Sequence, residues 1–201
     1  MSPDLRILPM LLCLLPATQP AAGTVARDGF IGTPTPSRYS VCFDHSCATV
    51  VTDSLSKTEW QRVTAPLRSP VATAGGERAA ISRSMAIFET VVGRHTGTSG
   101  DKGRNIAGFG QPGQLDCIDE STNTTTYLRL LEQDGLLRHH RVAERATRFG
   151  LFVGMPHSTA VIEELGSGNR YVVDSWFYDN GKPPHIVRLE DWRAGLDPDR
   201  D

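Results

Sequence analysis

The sequence predicts an α+β domain in which helices pack on an antiparallel sheet. Three observations predict it. The helical signals all precede residue 135: a capping box at Ser56-Lys57-Thr58-Glu59, an apolar stripe through Ile81, Met85, Phe88 and Val92, and an aspartate-capped start at Asp116-Cys117. After Gly135 the chain turns to short β-rich runs separated by turns. No helical pattern separates those runs, which argues against a doubly wound parallel sheet.

The 201 residues fit one domain, and 39% hydrophobic with 22% charged residues is ordinary globular composition. The net charge of −2 and the absence of Lys/Arg clusters argue against a nucleic-acid partner. No membrane span is expected. Residues 1–26 read as a secretory signal peptide: Arg6, the apolar run Ile7 to Leu15, then small residues at Ala21-Ala22-Gly23. That run is shorter than the roughly 20 residues a bilayer requires. The expected location is therefore periplasmic or secreted. A lipid anchor on Cys13 is disfavoured by Leu11 and Leu12, where small residues belong.

Residues 27–201 form the expected single domain, with a leader and hairpin over 27–76 and a core over 77–192. Gly29, Gly32, Pro34 and Pro36 mark an extended leader. Tyr39 to Phe43 and Ala48 to Thr52 read as a hairpin around Cys42 and Cys47. In an oxidising compartment these two cysteines can close a disulfide. The alternative is a metal site at Cys42, His45 and Cys47, which lacks a second ligand pair at zinc-like spacing. No cofactor is expected. The capping box predicts a short helix through Trp60 and Val63, broken by Pro66 and Pro70, with a loop over 64–76. The stripe predicts a helix over 77–92, ended by Gly93 and Gly97. Thr96 to Gly113, with six glycines, reads as an irregular approach to Cys117 rather than a phosphate-binding loop, since it lacks G-x-x-x-x-G-K-[ST].

Asp116 predicts a helix starting at Cys117, with Asp119 and Glu120 in its first turn and Gly135 past its end. Strands are expected over Leu137 to Val142, Arg148 to Val153, Ser158 to Leu165, Tyr171 to Trp176 and Ile186 to Leu189. The third and fourth straddle Gly166-Ser167-Gly168-Asn169 and read as an antiparallel hairpin.

The chain holds four cysteines; removal of the signal peptide and pairing of Cys42 with Cys47 leave Cys117 as the odd thiol. A helix start lowers a thiol pKa, whereas Asp116, Asp119 and Glu120 raise it. A histidine partner would offset the acids through a thiolate–imidazolium pair. His157, at a strand start, is the candidate base; His139, His140 and His185 are rivals. Asp174, seventeen residues on and on the neighbouring strand, is the candidate orienter, and an unpaired carboxylate would be costly in its apolar setting. Trp176 and Trp192 are expected to shield the pair from water. A metal site at Cys117, His157 and His139 or His140 is a further alternative.

Asp116-Cys117-x-Asp119, then Pro156-His157-x-x-Ala160-Val161, then Tyr171-Val172-Val173-Asp174-Ser175-Trp176, resembles the transglutaminase-like, papain-related superfamily. It is most similar to the bacterial transglutaminase-like cysteine proteinases, over residues 77–192. The resemblance implies a papain/transglutaminase-like core with the nucleophile at a helix N-terminus. It also implies a Cys117-His157-Asp174 triad acting on an amide bond of a peptide or protein substrate, by hydrolysis or acyl transfer. Family members place a glutamine before the cysteine as an oxyanion donor; Gln111, preferred, and Gln114 are the candidates. Trp176, Asp119 and His140 are expected on the substrate side. The acidic and polar residues after Cys117 depart from the apolar or aromatic ones of many relatives. A catalytically inactive binding or assembly module on the same fold is the other reading.

Overall fold

The computed structural model describes residues 29–69, 71–106, 108, 110–149 and 156–196. The proposed signal peptide and Cys13 lie outside them, as do positions 150–153 of the second expected strand. Within them the chain is α+β, with two antiparallel sheets.

Strands β1 (Tyr39–Phe43) and β2 (Thr49–Asp53) form the first sheet, with Cys42 opposite Val50. Cys42 and Cys47 form a disulfide, as the cysteine count predicts. Both sulfurs lie within 4.8 Å of an Asp119 carboxylate oxygen, but as a disulfide they offer no thiolate to a metal. The linking turn is unusual. Asp44, His45, Ser46 and Cys47 all have φ between 55° and 67°. Left-handed backbone costs roughly 1–2 kcal/mol per residue outside glycine. The compensation comes from helix α3 (Cys117–Gln133). Asp119 accepts the His45 and Cys47 N–H groups at 2.8 and 2.6 Å, and Asp116 accepts that of Ser46 at 2.9 Å. Replacing both cysteines with serine is expected to cost about 2 kcal/mol, the loop entropy of so short a ring. Thermal unfolding should then fall by several degrees; an unchanged midpoint would show that the carboxylates alone hold the turn.

Helix α1 (Lys57–Arg68) starts at the capping box and runs through Pro66. This corrects the expected break there and shortens the expected loop. Pro66 removes one bond near the C-terminus, while Val63, Thr64 and Leu67 are buried and hold the last turn. Helix α2 (Ala74–Thr96) begins earlier than the stripe predicts because Thr73 caps it, and Gly97 ends it at φ 82°.

The second sheet runs in order β3 (His140–Arg148), β4 (His157–Glu164), β5 (Arg170–Asp174), β6 (His185–Arg188). Strand β3 begins later than the expected Leu137 to Val142 run and continues past it to Arg148, bent by a bulge between Ala143 and Ala146. Strand β4 is buried on both faces along most of its length. Ala160 and Ile162 join Val173, Leu128, Leu131, Phe88 and Tyr127 in the main core beneath α2 and α3, where the Phe88 and Tyr127 rings stack at 4.4 Å. The alternating Val161, with Val172, faces a smaller core closed by Leu189 and Trp192 of helix α4 (Leu189–Arg193). That short helix was not predicted, because its six-residue surroundings carry no cap or periodic stripe.

Between α2 and α3 the chain loops across the end of the sheet. A Cβ on Gly103 would lie 2.6 Å from the Phe177 carbonyl oxygen, so this close approach needs glycine. The loop thereby docks beside the segment that follows Asp174.

Candidate active site

Helix α3 opens at Cys117 because Asp116 accepts the Ile118 and Asp119 N–H groups, both at 2.9 Å, while the Asp119 carboxylate returns to the Asp116 N–H at 3.1 Å. The cap accepts from Ile118 and Asp119 and not from Cys117, whose N–H has no side-chain acceptor among the described residues. Cys117 is the free cysteine among the described residues and is half-buried; its Sγ lies 3.9 Å from the Pro156 carbonyl oxygen.

His157 follows Pro156 at the first position of β4, so the Cys117 thiol, 3.9 Å from the Pro156 carbonyl oxygen, lies beside it and acts on its charge state. Its Nε2 contacts Asp174 Oδ2 at 2.8 Å, which leaves Nδ1 as the nitrogen for the thiol. Asp174 ends β5, and the hairpin register (Ala160 opposite Val173) brings the two strand ends together. The same carboxylate oxygen accepts the Trp192 indole N–H at 2.8 Å. His157 and Asp174 are 2% and 3% exposed. The Trp176, Phe177 and Trp192 rings surround the imidazole at 4.8, 5.4 and 5.6 Å. Burial alone would depress the His157 pKa, but the hydrogen bonds to Asp174 and Cys117 and their charges outweigh it and push it up to about 9. The site thus holds an imidazolium at neutral pH beside Cys117, the cation that a thiolate–imidazolium pair requires.

The remaining predicted residues fall elsewhere. Gln114 is spent on its own loop: its Oε1 accepts the Lys102 N–H and the Asn105 amide, and its Nε2 donates to the Gly100 carbonyl. Gln111 lies exposed on a turn closed by its N–H to the Gly108 carbonyl. Asp119 faces the disulfide turn, not a cleft. Trp176 is buried against His157. His140 lies opposite Glu164, whereas His157 lies opposite Arg148. Eight residues of β3 separate those pairs, about 26 Å. His140 instead bonds Glu77 at 2.9 Å, and Glu77 also accepts the Arg138 and His139 N–H groups. Neither His139 nor His140 joins Cys117, so the structure does not assemble that metal alternative. His185 lies opposite Asp174 across β5 and β6, and its buried Nδ1 has no hydrogen-bond partner among the described residues.

Sequence reasoning placed Asp119 and Glu120 in the first turn of α3 but missed Glu89 and Asp101, whose charges act on them. Burial and the charges of Glu89, Asp101, Asp119 and Asp174 hold Glu120 well above the usual carboxylate range. Burial likewise pushes Glu89 and Asp101 up to about 7, and burial with the nearby Asp116 pushes Asp119 to about 6. All four folded pKa values lie above those of the unfolded chain, near 4. Their contribution to stability is therefore fully present below about pH 4 and is lost as pH rises through 6 to 7. The raised pKa of His157 acts in the same direction, its contribution vanishing as pH rises through about 9. The chain should melt at a higher temperature at about pH 5 than at about pH 8, and Glu120→Gln should shrink the difference. Calorimetry showing the opposite slope, unaltered by Glu120→Gln, would refute the holding of these buried carboxyls in the protonated form.

No protein-family model matches the chain, and no curated protein or solved structure is significantly similar to it.

Proposed function

We propose that this protein is an exported cysteine hydrolase or acyltransferase acting on amide bonds of a peptide or protein, on a papain/transglutaminase-like core. The observation that carries the reading is His157 bonded to Asp174 inside an aromatic shell, with the Cys117 thiol against the neighbouring Pro156. The Cys117 proton rests on His157 as a thiolate–imidazolium pair, and the thiolate attacks the amide carbonyl. The tetrahedral oxyanion is met by the Cys117 N–H, which the cap leaves open, at the positive end of the α3 dipole. The imidazolium then protonates the leaving amine, giving a thioester and a free amine. Water or a second amine, deprotonated by His157, resolves the thioester and regenerates the thiol. Asp174 holds the imidazole orientation throughout. Because the Gln114 amide is already engaged, Gln111 is the remaining side-chain candidate for the second oxyanion donor.

The test pairs an electrophilic cysteine probe, mapped by mass spectrometry, with a peptide-cleavage library. Labelling should map to Cys117, and Cys117→Ala should lose the label and turnover by several orders of magnitude. Full activity in Cys117→Ala would end the reading. Slow labelling that ignores His157 would instead assign a non-catalytic binding module.

A further inference from the structure

Arg148 ends β3 and lies directly opposite His157 in the ladder with β4. Partners on one rung of an antiparallel pair project from the same face. Alternation along each strand gives that face its other members: Ala146 with Arg148, Val161 with His157, and Val172 with Asp174. It is the face closed by α4, where Trp192 packs with Ala146, Val161 and Val172. Arg148 is buried and holds α4 in two ways. Its Nη1 donates to the Trp192 carbonyl and, at 3.2 Å, to the Leu196 carbonyl. Its guanidinium carbon lies 4.4 Å from the centre of the Trp192 ring. A cation suits the carbonyl end of a helix, and a guanidinium over an indole is a cation–π contact. Trp192 in turn touches both members of the ion pair. Its indole N–H reaches Asp174 Oδ2 at 2.8 Å, the oxygen that also meets His157 Nε2, and its ring lies 5.6 Å from the imidazole. Helix α4 has five residues and no side-chain cap, and a helix so short is marginal by itself. Its place therefore depends on the buried Leu189 and Trp192 side chains and on Arg148.

We propose that Arg148 is a positioning residue of the active site, acting through Trp192 to lock the Asp174 carboxylate onto His157. The inference rests on the Cys117, His157 and Asp174 reading of that site. The chain of contacts runs from guanidinium to indole to carboxylate to imidazole. A carboxylate oxygen shared by two fixed N–H donors keeps its orientation because its neighbours keep theirs. With the indole released, Asp174 turns and takes up water, and its charge acts less on His157. The other titratable groups facing this pair are Cys117 and Glu120 from α3 and His185 from β6. The charged residues of α4, Glu190, Asp191 and Arg193, are exposed. Two effects compete when the guanidinium is deleted. Loss of a nearby cation raises an imidazole pKa, whereas loosening the carboxylate lowers it. The carboxylate touches the imidazole at 2.8 Å, while the guanidinium contact is with the indole, so the lowering wins.

The test is an NMR titration of the His157 imidazole in the full chain, which requires neither turnover nor a reactive thiol. From about 9 in the parent, the midpoint should fall by about one unit or more in Arg148→Met, which keeps the apolar stem. Arg148→Lys keeps the charge without the planar fork. It should move the midpoint the same way by less, and it carries the test if the methionine variant does not fold. Trp192→Phe keeps a ring and deletes the N–H. In that background Arg148→Met should shift the midpoint by no more than about a third of its effect in the parent, because the contact it acts through is already gone. A midpoint that stays or rises in the folded Arg148 variants overturns the proposal, as does full additivity with Trp192→Phe. Iodoacetamide alkylation of Cys117 is followed alongside. A lowered midpoint with an unreactive parent Cys117 would sink the nucleophile and keep the lock on Asp174. A reactive Cys117 with an unmoved midpoint would do the reverse.

Discussion

Changing His157 to alanine is expected to slow turnover roughly 10²–10⁴-fold, the range for removing a positioned general base. Alkylation of Cys117 by iodoacetamide near neutral pH should slow with it. The reason is that the acids around the nucleophile work against a thiolate. Asp116 and Asp119 flank Cys117 in sequence. The cation that offsets them is the His157 imidazolium, kept protonated at neutral pH by Asp174 and shielded by three aromatic rings. His157→Gln fills the same space without exchanging a proton, and separates chemistry from packing. If Cys117 in both variants alkylates as fast as in the parent, the imidazole has no part in activating the thiol.

Asp174 should show the largest stability effect. Its Oδ2 accepts from both His157 Nε2 and Trp192 Nε1, each at 2.8 Å, in a buried setting. Asp174→Ala leaves both donors buried without that acceptor and removes the negative partner of a cation. Breaking one side of such a pair typically costs about 3–5 kcal/mol. For a chain this long that is a fall of about 10 °C or more in unfolding temperature. Asp174→Asn keeps an acceptor oxygen and should cost less. Both variants should move the alkaline titration of His157 down from about 9 toward the ordinary histidine value near 6.5. The shift is readable as the pH dependence of Cys117 alkylation or by imidazole NMR. A parent-like titration in Asp174→Asn would show that the carboxylate charge does not hold the proton on His157.

Features that depend on neighbours a few residues away were legible. The Ser56–Glu59 capping box, the Asp116 cap, Gly97 and Gly135 at left-handed φ, and the β4–β5 hairpin all arise from contacts within one or two turns of chain. Where the reading departed from the structure, a distant contact overrode a local signal. Pro66 stays helical because Val63 and Leu67 are buried around it. The bulge lets β3 continue through Ala143 to Thr147, whose sequence does not alternate cleanly. His140 looked like a cleft residue, yet Glu77, 63 residues earlier, takes its Nδ1 and fixes it at the far end of the sheet. Gln114 looked like a free amide, yet the turns of the glycine-rich loop engage both its oxygen and its nitrogen.

The sequence by itself determined the α+β order, the disulfide pairing of Cys42 with Cys47, and the helix start at Cys117. Each follows from short-range backbone chemistry or from residue counting. Only the tertiary structure decided what surrounds Cys117. Register across β4 and β5 puts the Asp174 carboxylate on His157, the unforeseen α4 delivers the Trp192 indole to the same oxygen, and strand β4 carries His157 to the thiol. The disulfide turn and the buried acids meet at the same helix start. These contacts join residues tens of positions apart. Their energies come from burial and paired charge, which exist only once the sheet and helices have closed over them.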